Sequence, residues 1–138
     1  RIAAGLELNY TQKDIRPDGC AIECRINSED FRNDFRQSCG KISLLHIPGG
    51  PWVRFDTAIY QDYTIPPYYD SMIGKLIVHA RDRREAIRKM QAALCELVIE
   101  GVNYNAELAS LILASDEFVD GTYTTGWIGE AIEEFKKL

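Results

Sequence analysis

Cys20-Ala21-Ile22-Glu23-Cys24-Arg25-Ile26-Asn27 alternates in character along its length. As a strand it places Cys20, Ile22, Cys24 and Ile26 on one face and Ala21, Glu23, Arg25 and Asn27 on the other. One face packs and the other carries charge. Just before it, Arg16-Pro17-Asp18-Gly19 is a turn signal. Residues 1–18 therefore read as the end of a preceding helix and a polar connection, and the domain as 19–138. Beyond it, residues 41–47 and the set Val53, Phe55, Thr57 and Ile59 read as two further strands. Pro48-Gly49-Gly50-Pro51 supplies a turn between them, so they are expected to form an antiparallel pair. In Ile65-Pro66-Pro67-Tyr68-Tyr69 each proline fixes its own backbone and biases its predecessor away from helix. The apolar run 73–79 that follows is expected at the centre of the sheet.

Helical spacing takes over after Asp82. Ala86, Ile87, Met90, Ala93, Leu94 and Leu97 recur on one stripe, and Asp82 with Glu85 makes an acidic variant of the capping box. This predicts a helix over about 83–97, then a short strand at 98–100, then a helix over about 106–114 capped by Asn105. A last helix is expected from about Thr125, with Ile128, Ala131, Ile132 and Phe135 on one face and Lys136 and Lys137 where the helix dipole favours cations. Strands first and helices later indicate an α+β domain: an antiparallel β-sheet with helices packed on one side.

The chain has 138 residues, 46% of them apolar, which is enough for one hydrophobic core. A net charge of -5, with no basic cluster beyond the stretch around Arg81 to Arg84, excludes nucleic acid or an anionic membrane as the main partner. No apolar run approaches the ~20 residues that span a bilayer, and no signal-peptide pattern opens the chain. A cytoplasmic protein is expected. A first residue that is Arg rather than Met fits a trimmed fragment. Cys20, Cys24, Cys39 and Cys95 show no paired C-x2-C spacing, so reduced, mostly buried thiols are expected and no metal site.

Two features bear on chemistry. Glu23 and Arg25 share a polar strand face, where a fixed guanidinium can stabilise a developing oxyanion. A solvated surface ion pair is the plainer alternative. Pro66-Pro67-Tyr68-Tyr69-Asp70-Ser71 joins a stiff segment to a carboxylate, so Asp70 either orients a basic partner or belongs to a structural connector. Gly49-Gly50 lacks the Lys-Ser or Lys-Thr and the following helix of a phosphate loop and reads as a turn. His46 and His79 have no acid or thiol partner near them in sequence. No G-x-S-x-G or H-E-x-x-H pattern is present.

Several stretches in order resemble the C-terminal domain of biotin carboxylase. They are Arg1-Ile2-Ala3-Ala4-Gly5, Ala21-Ile22-Glu23-Cys24-Arg25-Ile26-Asn27, Gly40-Lys41-Ile42, Pro48-Gly49-Gly50 and, above all, Tyr63-Thr64-Ile65-Pro66-Pro67-Tyr68-Tyr69-Asp70-Ser71-Met72-Ile73-Gly74-Lys75-Leu76. Weaker matches run on through Glu100-Gly101-Val102 and Asn105.

The resemblance implies a share in the ATP- and bicarbonate-dependent carboxylation of biotin on its carrier protein or domain, as in acetyl-CoA carboxylase and fatty-acid synthesis. It implies that Arg25 contacts biotin and stabilises its enolate-like form, with Glu23 and Asp70 as orienting residues and Arg54 at a homodimer interface. It also implies that ATP, magnesium and bicarbonate are held by an ATP-grasp region outside this chain, so the chain alone is expected to be inactive. The alternative is an interaction or oligomerisation module that kept the fold and dropped the chemistry. Four places depart from the family pattern: Cys20, Ser38-Cys39-Gly40, Pro51-Trp52 and Asn103-Tyr104-Asn105. They bear on turn geometry and on the contact near Arg54.

Overall fold

A computed structural model describes residues 1–138. Two short 3-10 turns, Ile2–Ala4 and Gln12–Asp14, occupy the first 18 residues, and neither holds a buried side chain. The elements that follow are β1 (Cys20–Asn27), β2 (Glu29–Asp30), β3 (Arg36–Gln37), β4 (Gly40–Lys41), β5 (Leu44–His46), β6 (Val53–Thr57), β7 (Thr64–Ile65), β8 (Met72–Ala80), α1 (Arg83–Glu96), β9 (Val98–Glu100), α2 (Ala106–Ala114), α3 (Asp116–Asp120) and α4 (Trp127–Phe135).

The main sheet has three antiparallel strands in the order β1-β8-β6, with the apolar β8 at its centre as its composition predicts. Period-2 alternation sorts its faces. Ile22, Ile26, Leu76, Val78 and Ala80 are buried on one side, while Glu23, Arg25, Arg54 and Asp56 are exposed on the other. Helix α1 covers the buried side with Ala86, Ile87, Met90, Ala93 and Leu94, so the sheet carries helix on one face and is open on the other. This is the expected α+β arrangement.

Local signals explain α1. The Asp82 carboxylate accepts the Glu85 N–H at 2.9 Å, which satisfies a helix-end donor. That bond, aided by the charge of Arg81 and outweighing an opposing desolvation, holds the Asp82 carboxyl below the usual carboxylate range. The Glu85 side chain reaches back to the N–H of Arg81 at 3.3 Å, one residue before the position a capping box prescribes. Helix α4 begins at Trp127, two residues later than Thr125. It has no fully buried residue and is joined to α3 through an aromatic run in which Phe118 and Tyr123 stack at 5.3 Å and Arg83 lies 4.7 Å from the Phe118 ring centre.

The expected hairpin between residues 41–47 and 53–59 does not form. Strand β5 pairs instead with β9, and β6 pairs with β8, placing Val53 opposite Val78 and Phe55 opposite Leu76. The turn at Pro48-Gly49-Gly50-Pro51 exists, but it hands the chain from one ribbon to another. Burial decides this, because β8 offers Val53 and Phe55 the fully buried partners Val78 and Leu76, whereas no residue of β5 is fully buried. Trp52 holds the turn at φ +63, a left-handed conformation that costs a non-glycine residue about 1–2 kcal/mol.

The expectation of mostly buried thiols also fails: Cys20 and Cys24 are half-buried, and Cys39 and Cys95 are exposed. Position explains the difference. The first two lie on the packed face of β1, whereas Cys39 lies in the link between β3 and β4 and Cys95 on the outer side of α1.

Leu76 is fully buried at the middle of the central strand. Leu76→Ala should therefore destabilise the fold by about 2–5 kcal/mol, measured by urea unfolding. A loss below about 1 kcal/mol would place Leu76 outside the core.

Candidate functional site

Arg25 leaves the open face of the sheet near the end of β1, and its side chain is 59% exposed. Pairing with β8 sets Lys75 directly opposite it, and Asp56 of β6 lies opposite Lys75 in turn. Two cations side by side repel each other. They also make this strip of the sheet favourable to an anion or to a group that acquires negative charge.

The guanidinium has few fixed partners of its own. Its Nε lies 3.3 Å from the Met72 sulfur, and one terminal nitrogen lies 4.0 Å from an Asp70 carboxylate oxygen. An exposed pair at that separation is screened and worth little. Most of the donor fork stays available to an incoming ligand. Neighbouring Asp70, Met72 and Lys75, with Tyr69 and Asp56, line a cleft of about 340 Å³ whose wall does not include Arg25 itself.

The structure therefore brings Arg25 and Asp70 together, although they are far apart in sequence. Asp70 is braced: its carboxylate accepts the Met72 N–H at 2.8 Å, and the adjacent Ser71 hydroxyl donates to Glu29. Ser71 also accepts the Ser28 N–H at 2.8 Å through its carbonyl. Glu23 stands on the same face two residues before Arg25, opposite Ile77, and makes no ion pair with Arg25. Arg54 lies across the same row on edge strand β6 and pairs with Asp56 at 2.9 Å. No group of three or more His, Cys, Asp and Glu side chains comes together that could hold a metal ion.

Behind Arg25, burial pushes the Cys24 thiol up to about 11, and the Glu23 charge pushes the same way. It remains a neutral packing group at physiological pH.

Sequence reading missed Met72, Glu29 and Ser71, and it placed Asn105 at the N-cap of α2, where it lies, but did not find the partners of its side chain. The Asn105 side chain makes no capping bond to α2. Its amide faces β1 instead, donating to the Arg25 carbonyl at 3.0 Å and accepting the Asn27 N–H at 2.8 Å. No local pattern could have shown this, because the partners lie 80 and 78 residues away.

Arg25 thus projects from the open face of an antiparallel sheet that carries helix on its other face. Comparisons with known proteins identify the family. The biotin carboxylase C-terminal domain profile matches residues 23–130, and the chain belongs to that family. It is 50% identical over 121 residues to the biotin carboxylase of Haemophilus influenzae, covering 88% of this chain and 27% of that protein. It is 47% identical over 130 residues to a pyruvate carboxylase subunit of Methanothermobacter thermautotrophicus, covering 94% and 26%. The biotin carboxylase domain of the 2-oxoglutarate carboxylase from Hydrogenobacter thermophilus, solved as a dimer with MgADP, ADP and bicarbonate, superposes with a TM-score of 0.94 at 43% identity, covering 98% of this chain and 30% of that one. The chain thus spans about a quarter of the length of the curated relatives it matches.

The Cys24 environment yields a check. At pH 8 the folded chain should be alkylated first at exposed Cys39 and Cys95, with Cys24 reacting about 10²-fold more slowly than a free thiol. Because the folded thiol titrates near 11, it releases its proton later than the unfolded one. Its contribution to stability is complete below the ordinary thiol range and declines as pH rises toward 11. Peptide mapping showing Cys24 modified alongside Cys39 would contradict this burial.

Proposed function

We propose that this chain supplies Arg25 to the biotin site of a biotin-dependent carboxylase, in which ATP and bicarbonate carboxylate biotin N1′ through carboxyphosphate. The observation that carries the reading is the guanidinium itself, held on a strand with its donor fork open and its neighbours Asp70, Met72 and Lys75 lining a cleft. Loss of the N1′ proton spreads negative charge onto the ureido oxygen. A positioned guanidinium lowers the cost of forming that charge without reorganising when the proton leaves. Asp70, just before β8 and 4.0 Å from the guanidinium, is a weak orienting partner beside the strand backbone itself, and Glu23 adds negative charge on the same face.

ATP, magnesium and bicarbonate belong in this reading to the part of the parent enzyme outside the chain. The H. thermophilus domain, solved with MgADP and bicarbonate and covered to only 30% by this chain, supports that division. Residues 19–138 form the domain and 1–18 the connection leading into it. A biotin carboxyl carrier protein or domain delivers the substrate. The exposed edge of β6, with Arg54 and Trp52, is the proposed homodimer contact. Membership of acetyl-CoA carboxylase, feeding fatty-acid synthesis in the cytoplasm, is the finer assignment. Relatives named for pyruvate and 2-oxoglutarate share the fold, and in this reading a separate transferase chooses the final acceptor.

The test joins the chain to its natural upstream sequence and measures bicarbonate-dependent ATP cleavage driven by free biotin. Arg25→Ala should lower biotin-dependent turnover by about 10²- to 10³-fold. Because the side chain is exposed, stability should stay within about 0.5 kcal/mol of the parent. Full turnover in that variant would remove Arg25 from the chemistry. The chain by itself should hydrolyse no ATP, and a biotin-stimulated ATPase from the purified 138 residues would overturn the division of labour.

A further inference from the structure

Asn105 occupies the entry to α2, where its residue type usually accepts a first-turn N–H. Here that option is unused, and three bonds run to β1 instead. The side-chain Nδ2 donates to the Arg25 carbonyl at 3.0 Å, the side-chain Oδ1 accepts the Asn27 N–H at 2.8 Å, and the Asn105 backbone N–H donates to the Asn27 carbonyl at 3.1 Å. These are the groups that β1 turns away from β8. Strand β1 is an edge strand, so no neighbour would otherwise pair them.

On the other side of β1 the ladder to β8 slips between Ile26 and Asn27, so strand pairing alone weakly defines the backbone there. The Arg25 side chain adds little restraint beyond Met72 and a distant Asp70. The direction in which the guanidinium points is thus set mainly by the backbone it springs from.

We propose that Asn105 is a positioning residue for Arg25: its amide stands in for the missing neighbouring strand and fixes the pitch of the backbone that aims the guanidinium. This rests on the role assigned to Arg25 above. Small angular errors at a reacting group are costly, since a displacement of about 1 Å can cost 10²-fold in rate.

The experiment uses the complete carboxylase containing this chain and two variants. Asn105→Asp keeps the acceptor for the Asn27 N–H but sets a carboxylate oxygen against the Arg25 carbonyl. Asn105→Ser retains a good helix cap but is too short to bridge both groups. Both are assayed below their melting temperatures for free-biotin carboxylation and for the slow ATP cleavage that proceeds with bicarbonate and no biotin. The expected result is a fall of about 10-fold or more in kcat for biotin carboxylation, with KM for ATP and the biotin-free ATP cleavage within about twofold of the parent. Either variant on an Arg25→Ala background should cause little further loss, because both act through one group.

A parallel fall in both activities would mark Asn105 as merely structural and overturn the proposal, as would losses from Asn105→Asp and Arg25→Ala that multiply. If Arg25→Ala is impaired while both Asn105 variants turn over biotin normally, the positioning role alone fails. If Arg25→Ala itself keeps full turnover, the reading on which this inference rests has failed first.

Discussion

The antiparallel pairing of β1 with β8 is the constraint from which the rest of the domain follows. Its register places Ile22 opposite Val78, Cys24 opposite Leu76 and Ile26 opposite Gly74, so one set of side chains is driven onto α1. The intervening positions then have no choice of side. Glu23 and Arg25 must emerge on the open face, and a one-residue slip would bury both charges. At Gly74 a side chain would meet the Phe55 ring at 2.6 Å, so close packing across the three strands depends on the absence of a Cβ there. The energy that fixes Arg25 in space is therefore mostly hydrophobic and comes from residues on the far side of the sheet.

That division has a functional consequence. The guanidinium spends little of its bonding capacity within the chain, which would be wasteful for a structural arginine. Arg32 offers a contrast, since it is bound by two terminal nitrogens to Glu107 and lies over the Phe31 ring. Arg25 has only a thioether and a carboxylate at 4.0 Å. A group braced through its backbone and left open at its tip suits transient negative charge on a ligand that arrives and departs.

Much of the fold was legible because burial imposes a period. Residues 20–27 show the strand period and residues 83–96 the helix period, and both elements appear where those patterns place them. Pairing partners were harder to read. Val53 and Phe55 are apolar toward one face whichever strand lies beside them, so the sequence near Pro48 favoured a hairpin that β8 outcompetes. The two-residue ribbons β2–β3 and β4–β7 are too short to show any period. At the site, Arg25 stood out from its strand position, but its neighbourhood with Asp70 and Met72 exists only once β1 and β8 have paired. Asn105 illustrates the limit most clearly. Its local context is that of a helix cap, and the competing demand comes from an unpaired sheet edge 80 residues away.

The most direct test is a crystal structure of the complete carboxylase with biotin bound. A guanidinium nitrogen of Arg25 is expected within about 3.2 Å of the ureido oxygen. Asn105 is expected still to bridge the Arg25 carbonyl and the Asn27 N–H in that complex. A ureido group lodged elsewhere, with Arg25 left in solvent or folded back onto Asp70 alone, would contradict the role given to this arginine.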